Sequence, residues 1–301
     1  MYDIIVVGAG PAGLTSALYA LRSGKKVLII EAETFGGQIT MSPLVENYPG
    51  KAAMSGIEFS DSLMDQVSEL GGEFELSRVL EIKNGDTKTV ITEDGEFTAK
   101  SVIIAVGAKH RALGLEKEEE FVGHGISYCA VCDGAFFAGK GVAVCGGGSS
   151  ALVDALYLAG ICEKVYLIHR RDAFRAEESL VKRVKEKENI ELVLDAVPTK
   201  LIGENRLEGV EVTKKNGESL VLSVPALFVM IGMEPQNEGF KNVASLEEGG
   251  YFDSGEDCKT RTAGIFVAGD CRRKSVRQLT TAVSDGTNAA VEACEYIDSH
   301  F

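Results

Sequence analysis

The stretch spanning residues 4–31, IIVVGAGPAGLTSALYALRSGKKVLIIE, decides how this chain folds. It opens on four consecutive apolar residues, 4–7, the pattern of a strand buried on both faces of a parallel sheet. A Gly8-Ala9-Gly10-Pro11-Ala12-Gly13 turn follows, then a helical pattern over 12–22 that stops at Ser23-Gly24. A second buried run, 27–30, completes a βαβ unit. In such a turn the first glycine makes the bend and the second lets a pyrophosphate approach the backbone. The third allows close helix–strand packing, and the helix N-terminus faces the phosphates. Glu31 ends the second strand eighteen residues after Gly13. A carboxylate there accepts hydrogen bonds from ribose hydroxyls and disfavours a 2′-phosphate. The unit therefore predicts a site for an adenine dinucleotide without that phosphate, FAD or NAD.

The pattern recurs downstream. Strand 142–145, helix 150–159 and strand 165–168 enclose Gly146-Gly147-Gly148-Ser149-Ser150-Ala151, whose final alanine is a permitted variant. Here the ribose end is basic: His169, Arg170 and Arg171, with Arg175 close behind, and Arg170 stands nineteen residues after Ala151. Guanidinium forks match phosphate oxygens. A basic run is often only a solvated helix start, but this position favours the 2′-phosphate of NADPH. The two sites then take different dinucleotides, which leaves FAD for the first.

Between the turns lies Cys129-Ala130-Val131-Cys132-Asp133. Half a zinc site is one reading of this spacing, yet zinc needs four ligands and His110 and His124 stand singly. No metal is expected. A redox dithiol beside two dinucleotide sites is the favoured reading. Asp133 can trade protons with a thiolate or serve as a turn former, and the two roles are compatible. The other five cysteines are scattered singly, unlike a secreted disulfide framework.

A net charge of −14 opposes phosphate backbones, so nucleic acid is not an expected partner. The longest apolar stretch, 220–233, is interrupted by Ser223 and Pro225 and is too short to span a bilayer. No membrane contact is expected, no secretory leader is evident, and a cytoplasmic location follows. Residues 115–121, with Glu116, Lys117 and Glu118 to Glu120, read as a solvated linker at a domain boundary. Residues 175–187 read as a basic helix, 191–230 as a small β-meander, and 279–296 as a final helix rich in small residues.

Six blocks in this order resemble low-molecular-weight thioredoxin reductases of the prokaryotic type, over essentially the whole chain. They are GAGPAG from Gly8, GGQI from Gly36, VENYPG from Val45, ISYCAVCDG from Ile126, HRRDAFRA from His169, and FVAGD through RQLTTAVSDG from Phe266. The resemblance implies an α/β fold of two Rossmann-like domains. An NADPH domain, 113–234, is inserted into a discontinuous FAD domain, 1–112 and 235–301. It also implies a homodimer, rotation of one domain against the other, and a thioredoxin-like protein as partner. By position, Gly8, Gly10, Pro11, Ala12, Gly13, Glu31, Gly36, Gly37, Gln38, Asn47, Gly107 and Gly269 should line FAD. Asp270 should hold the ribityl chain, with Arg277, Gln278 and Leu279 beside pyrophosphate and ring. Gly146, Gly148, Ser149, Ser150, Ala151, His169, Arg170, Arg171 and Arg175 should hold NADPH. Electrons would run from NADPH through FAD to the Cys129–Cys132 disulfide, with Cys132 nearer the flavin. Cys129 would attack the partner, and Asp133 would be the acid/base. Val106, His124 and Val153-Asp154 stand where the family usually has threonine, arginine and two glutamates. Reduction of another thioredoxin-fold or peroxiredoxin-system protein, dithiol oxidation by oxygen, and non-catalytic redox sensing are the competing readings.

Overall fold

The computed structural model describes residues 1–301. Strand β1 (Tyr2–Val7), helix α1 (Pro11–Arg22) and strand β2 (Val27–Glu31) form the first βαβ unit. β1 and β2 are parallel, with Ile4 opposite Val27 and Val7 opposite Ile30. Successive strand side chains point to opposite faces. Ile4 and Val6 therefore enter a core shared with α1, while Ile5 and Val7 enter a second core on the other face. Both faces are covered, which is why the run is continuously apolar rather than alternating.

Helix α2 (Gly56–Glu69) begins at a capping box in which Ser55 and Glu58 each accept the other's backbone N–H. Two otherwise orphaned donors are satisfied there. Strand β3 (Glu73–Leu76) then adds in parallel beside β2. Strands β4 (Val79–Lys83), β5 (Lys88–Thr92) and β6 (Glu96–Ile104) run antiparallel to one another. β6 also pairs in parallel with β1, so one long strand joins an antiparallel flap to the parallel sheet.

The chain leaves through β7 (Ala108–His110) and builds a second compact unit, His110–Met233. This unit opens with helix α3 (Glu118–Phe121), strand β8 (Ile126–Ser127) and the one-turn helix α4 (Ala130–Asp133). Strand β9 (Gly141–Cys145), helix α5 (Ser149–Leu158) and strand β10 (Lys164–Ile168) form the second βαβ unit. After helix α6 (Glu178–Lys185) come strands β11 (Ile190–Val193), β12 (Ala196–Ile202), β13 (Gly209–Lys214), β14 (Ser219–Leu222) and β15 (Leu227–Val229). The parallel sheet runs β11-β10-β9-β15-β8, and β12-β13-β14 form a separate antiparallel sheet.

Three expectations are corrected here. The meander is only 196–222, because β11 and β15 at its ends join the parallel sheet. The basic helix begins at Glu178 rather than at 175, since Arg175 is held in an extended bridge to Gly148. Residues 115–121 are solvated only in part: Glu116, Lys117, Glu119 and Glu120 are exposed, but Phe121 is buried and Glu118 is only 3% exposed. The Glu118 carboxylate accepts the N–H groups of Leu113, Gly114 and Leu115 and the hydroxyl of Tyr128. A charged residue is buried at little cost when its oxygens are filled in this way.

Strand β16 (Met233–Pro235) returns the chain to the first unit, Met1–Lys109 with Glu234–Phe301. Strand β17 (Ile265–Val267) pairs in parallel with β6, and helix α7 (Leu279–His300) packs on α1. The small residues of α7 permit this approach. A Cβ on Gly286 would lie 2.3 Å from the Ala12 carbonyl oxygen, and Ala289 and Ala290 are fully buried. No helix is long and apolar enough to cross a membrane.

Candidate active site

In the first unit the sheet ends at a glycine cradle. Gly8 has φ +102°, and a Cβ there would meet Ala105 O at 2.5 Å. A Cβ on Gly13 would meet Gly8 O at 1.9 Å, so helix and turn touch. Gly10 differs, because its side faces nothing nearer than Gly37 Cα at 4.0 Å. Helix α1 starts there with no side-chain cap and no acid in its first turn, and Pro11 removes one donor that would be unpaired anyway. Open space before uncapped helical N–H groups suits an anionic phosphate. Glu31 lies beside this turn, its carboxylate accepting the Ala9 N–H at 2.8 Å and those of Ala32 and Glu33.

Other segments close around the same turn. A Cβ on Gly37 would lie 2.9 Å from Gly10 Cα, and one on Gly269 the same distance from Ala12 Cβ. Gly36, in the left-handed region at φ +99°, introduces the short 3₁₀ turn that carries Gln38. Gln38 Nε2 donates to Ala108 O at 2.6 Å and faces Gly107. Asn47 Nδ2 donates to Gln278 Oε1 at 3.2 Å, just before Leu279 opens α7. Asp270 Oδ1 and Arg277 Nε are buried with no hydrogen-bond partner. Burial raises the Asp270 carboxyl, against the pull of Lys274 and Arg277. Buried polar atoms are nearly always paired, so these two fit a polar ligand with both donors and acceptors, as a flavin dinucleotide has.

Sequence reading missed what holds this loop. Asp285 on α7 is 2% exposed and accepts Arg272 Nε at 2.8 Å, Arg272 Nη2 at 2.7 Å, Lys274 Nζ at 2.9 Å and Gly269 N at 2.9 Å. Burial alone would raise its carboxyl, but Arg272 and Lys274 outweigh that and hold it below the usual carboxylate range. One acid thus ties down the segment that presents Asp270.

The second cradle, in the other unit, repeats the design with different walls. A Cβ on Gly146 would meet Met230 O at 2.3 Å and Ala151 Cβ at 2.7 Å, whereas nothing lies within 4 Å of Gly148. Helix α5 starts at Ser149 and Ser150, again without a side-chain cap or an acid in its first turn. Arg170, Arg171 and Arg175 are exposed and engaged in no ion pair, and the Arg175 N–H donates to Gly147 O at 2.8 Å. His169 stands apart from them. It is buried against Gly147, stacked on Phe174 and hydrogen-bonded to Ala173 O, and burial lowers its pKa. Its ring packs beneath the turn, while the three arginines stand exposed.

The dithiol turn belongs to the same unit. Cys129 and Cys132 form a disulfide bracketing the start of α4. The Cys132 N–H points at Cys129 Sγ at 3.2 Å, a donor placed to stabilise a thiolate there. Asp133 is half-buried, and burial raises its carboxyl while a hydrogen bond from Ser127 opposes the rise. The other five cysteines are buried and unpaired, and burial pushes Cys145, Cys258 and Cys271 each up to about 12. They are held as inert thiols.

The chain matches the family model for pyridine nucleotide-disulphide oxidoreductases over residues 2–286. It is 38% identical to a thioredoxin reductase of Listeria monocytogenes, across 99% of this chain and 94% of the relative. Identity to a thioredoxin reductase of Bacillus subtilis is also 38%, across 99% and 95%. The crystal structure of thioredoxin reductase from Streptococcus pyogenes superposes with a TM-score of 0.96 at 39% identity, covering 99% of both chains. The chain therefore belongs to the pyridine nucleotide-disulphide oxidoreductase family, and within it to the thioredoxin-reductase type that its motifs resemble.

Proposed function

We propose that this protein is an NADPH-dependent flavoprotein disulfide reductase that reduces oxidised thioredoxin through Cys129 and Cys132. One observation carries the reading: two cradles of one design differ in what closes the ribose end. In the unit formed by Met1–Lys109 and Glu234–Phe301 it is the Glu31 carboxylate, and in His110–Met233, which also carries the disulfide, it is three arginines engaged in no ion pair. The first unit accordingly takes FAD and the second NADPH. When bound, these two cofactors supply the hydride and electron-pair chemistry that protein side chains lack.

The residues do the rest. Glu31 would select an unphosphorylated ribose, Asp270 would accept from the ribityl chain, and the N-terminus of α7 at Leu279 would favour negative charge on the ring. By the family resemblance, Cys132 would be the sulfur that takes electrons from the flavin. Two electrons and two protons convert the disulfide into two thiols. Cys129, as a thiolate, then attacks the partner's disulfide, and Asp133 protonates the sulfur that leaves. Cys132 in turn attacks Cys129, which restores the disulfide and frees the partner as a dithiol. The balance is NADPH, one proton and a disulfide giving NADP⁺ and a dithiol. We further infer a homodimer working in the cytoplasm, where five unpaired cysteines are at home.

Replacing both Arg170 and Arg171 with alanine removes two charge-assisted contacts, each worth roughly 1.5–3 kcal/mol. The kcat/KM for NADPH should fall by about 100-fold or more while that for NADH holds nearly constant. Steady-state kinetics with both nucleotides measures this. An unchanged NADPH to NADH ratio would mean the cluster is merely a solvated face.

A further inference from the structure

Ser127 has no role in the reading above, yet its hydroxyl sits at the centre of the dithiol turn. The residue is buried, on the two-residue strand β8. Its Oγ donates to Asp133 Oδ2 at 2.6 Å and accepts the Cys129 N–H at 3.1 Å. A second acceptor, Cys129 O, lies 3.3 Å from the same oxygen. A serine hydroxyl has one rotatable proton and two lone pairs. With Asp133 ionised, that proton points to the carboxylate. With Asp133 protonated, the carboxyl O–H donates to Oγ, and the serine proton swings to Cys129 O. The Cys129 N–H is satisfied in both arrangements.

We propose that Ser127 is a positioning residue: its hydroxyl ties Asp133 to the Cys129 peptide and keeps the carboxyl hydrogen-bonded whether or not it holds a proton. The proposal rests on Asp133 being the acid of the reaction. Without such a relay, one of the two protonation states would leave a buried polar group unpaired, which disfavours that state. Few other groups bear on this carboxyl. With the disulfide formed, burial is the main influence on Asp133, and on reduction Cys129 and Cys132 of the same turn become the titratable groups nearest it in sequence. Helix α5, packed against α4, carries only Asp154 and Tyr157 as titratable groups, and the turn after Asp133 carries none.

The test is the pH profile of kcat/KM for oxidised thioredoxin with the full FAD-loaded enzyme. An acid that must be protonated gives an alkaline limb, where activity falls as it ionises. Ser127→Ala removes a hydrogen bond that is stronger to the ionised carboxylate than to the neutral acid, so the limb should move to higher pH by about one unit. Ser127→Thr keeps the hydroxyl and should return the limb toward its original position. In an Asp133→Asn background, Ser127→Ala should have no further effect on the profile. A Ser127→Ala profile that superimposes on the wild type overturns the proposal, as does an equal slowing by Ser127→Ala with and without Asp133. Should Asp133→Asn retain the wild-type rate at every pH, the acid assignment itself fails, an outcome distinct from failure of the serine relay. If Ser127→Ala lost its flavin, the Thr variant would still decide: a Thr limb lying about a full unit or more from the wild-type position, although the hydroxyl is kept, contradicts the relay.

Discussion

Cys132→Ser is expected to abolish thioredoxin reduction, by ~10³-fold or more, while the protein keeps bound FAD and still oxidises NADPH with artificial electron acceptors. The reason is atomic. Serine oxygen cannot share a disulfide with Cys129, so nothing remains to accept an electron pair and pass it on as thiols. The cradles do not depend on that sulfur: Gly8 to Gly13 and Gly146 to Ala151 are shaped by their own backbone contacts. Two assays on one preparation separate the steps, since artificial acceptors bypass the dithiol. Thioredoxin reduction at the wild-type rate in this variant would remove Cys132 from the route.

The second large effect concerns stability. Asp285→Asn leaves Lys274 buried without its carboxylate partner and Arg272 with only the exposed Glu256, their side chains 4% and 2% exposed. Breaking a buried ion pair by deleting one partner costs about 3–5 kcal/mol. The cost should appear as a lower thermal midpoint and, because Asp285 also accepts the Gly269 N–H, as weaker retention of FAD by the loop bearing Asp270. The sign of the pH dependence follows from the lowered carboxyl. Its stabilisation is present at neutral pH, fades below about pH 4, and is lost as pH falls through the depressed folded value. Thermal unfolding monitored by flavin release, at pH 7 and at progressively lower pH, measures both. A variant within about 1 kcal/mol of the wild type at pH 7 would show that the network contributes little.

Both βαβ units were legible in the sequence because their signals are local. A buried run, a glycine turn and a helical period lie within thirty residues, and the two units differ at or just past the end of the second strand, Glu31 in one and Arg170 in the other. What stayed hidden depends on partners distant in sequence. Glu118 looked solvated in a run of charges, but Tyr128 and the Leu113–Leu115 backbone fill its oxygens. β11 and β15 looked like meander strands because short apolar runs do not say which neighbour they pair with. Position alone groups His169 with the arginines, whereas its stacking on Phe174 and packing against Gly147 rest on contacts that the pattern does not show. Asp285 had one faint signal, a lone acid on the helix face otherwise made of Ala282, Gly286, Ala289 and Ala290. Ser127 had none, since a serine two residues before a cysteine is unremarkable without the Asp133 geometry.

The most direct test is the stoichiometry of NADPH oxidation by the purified, FAD-loaded protein supplied with excess oxidised thioredoxin. The expected result is many NADPH oxidised per flavin, one thioredoxin disulfide reduced for each, and slow oxidation of NADH in its place. Consumption of a single equivalent of NADPH with every thioredoxin offered would contradict reduction of that partner and favour a dithiol that reports redox state.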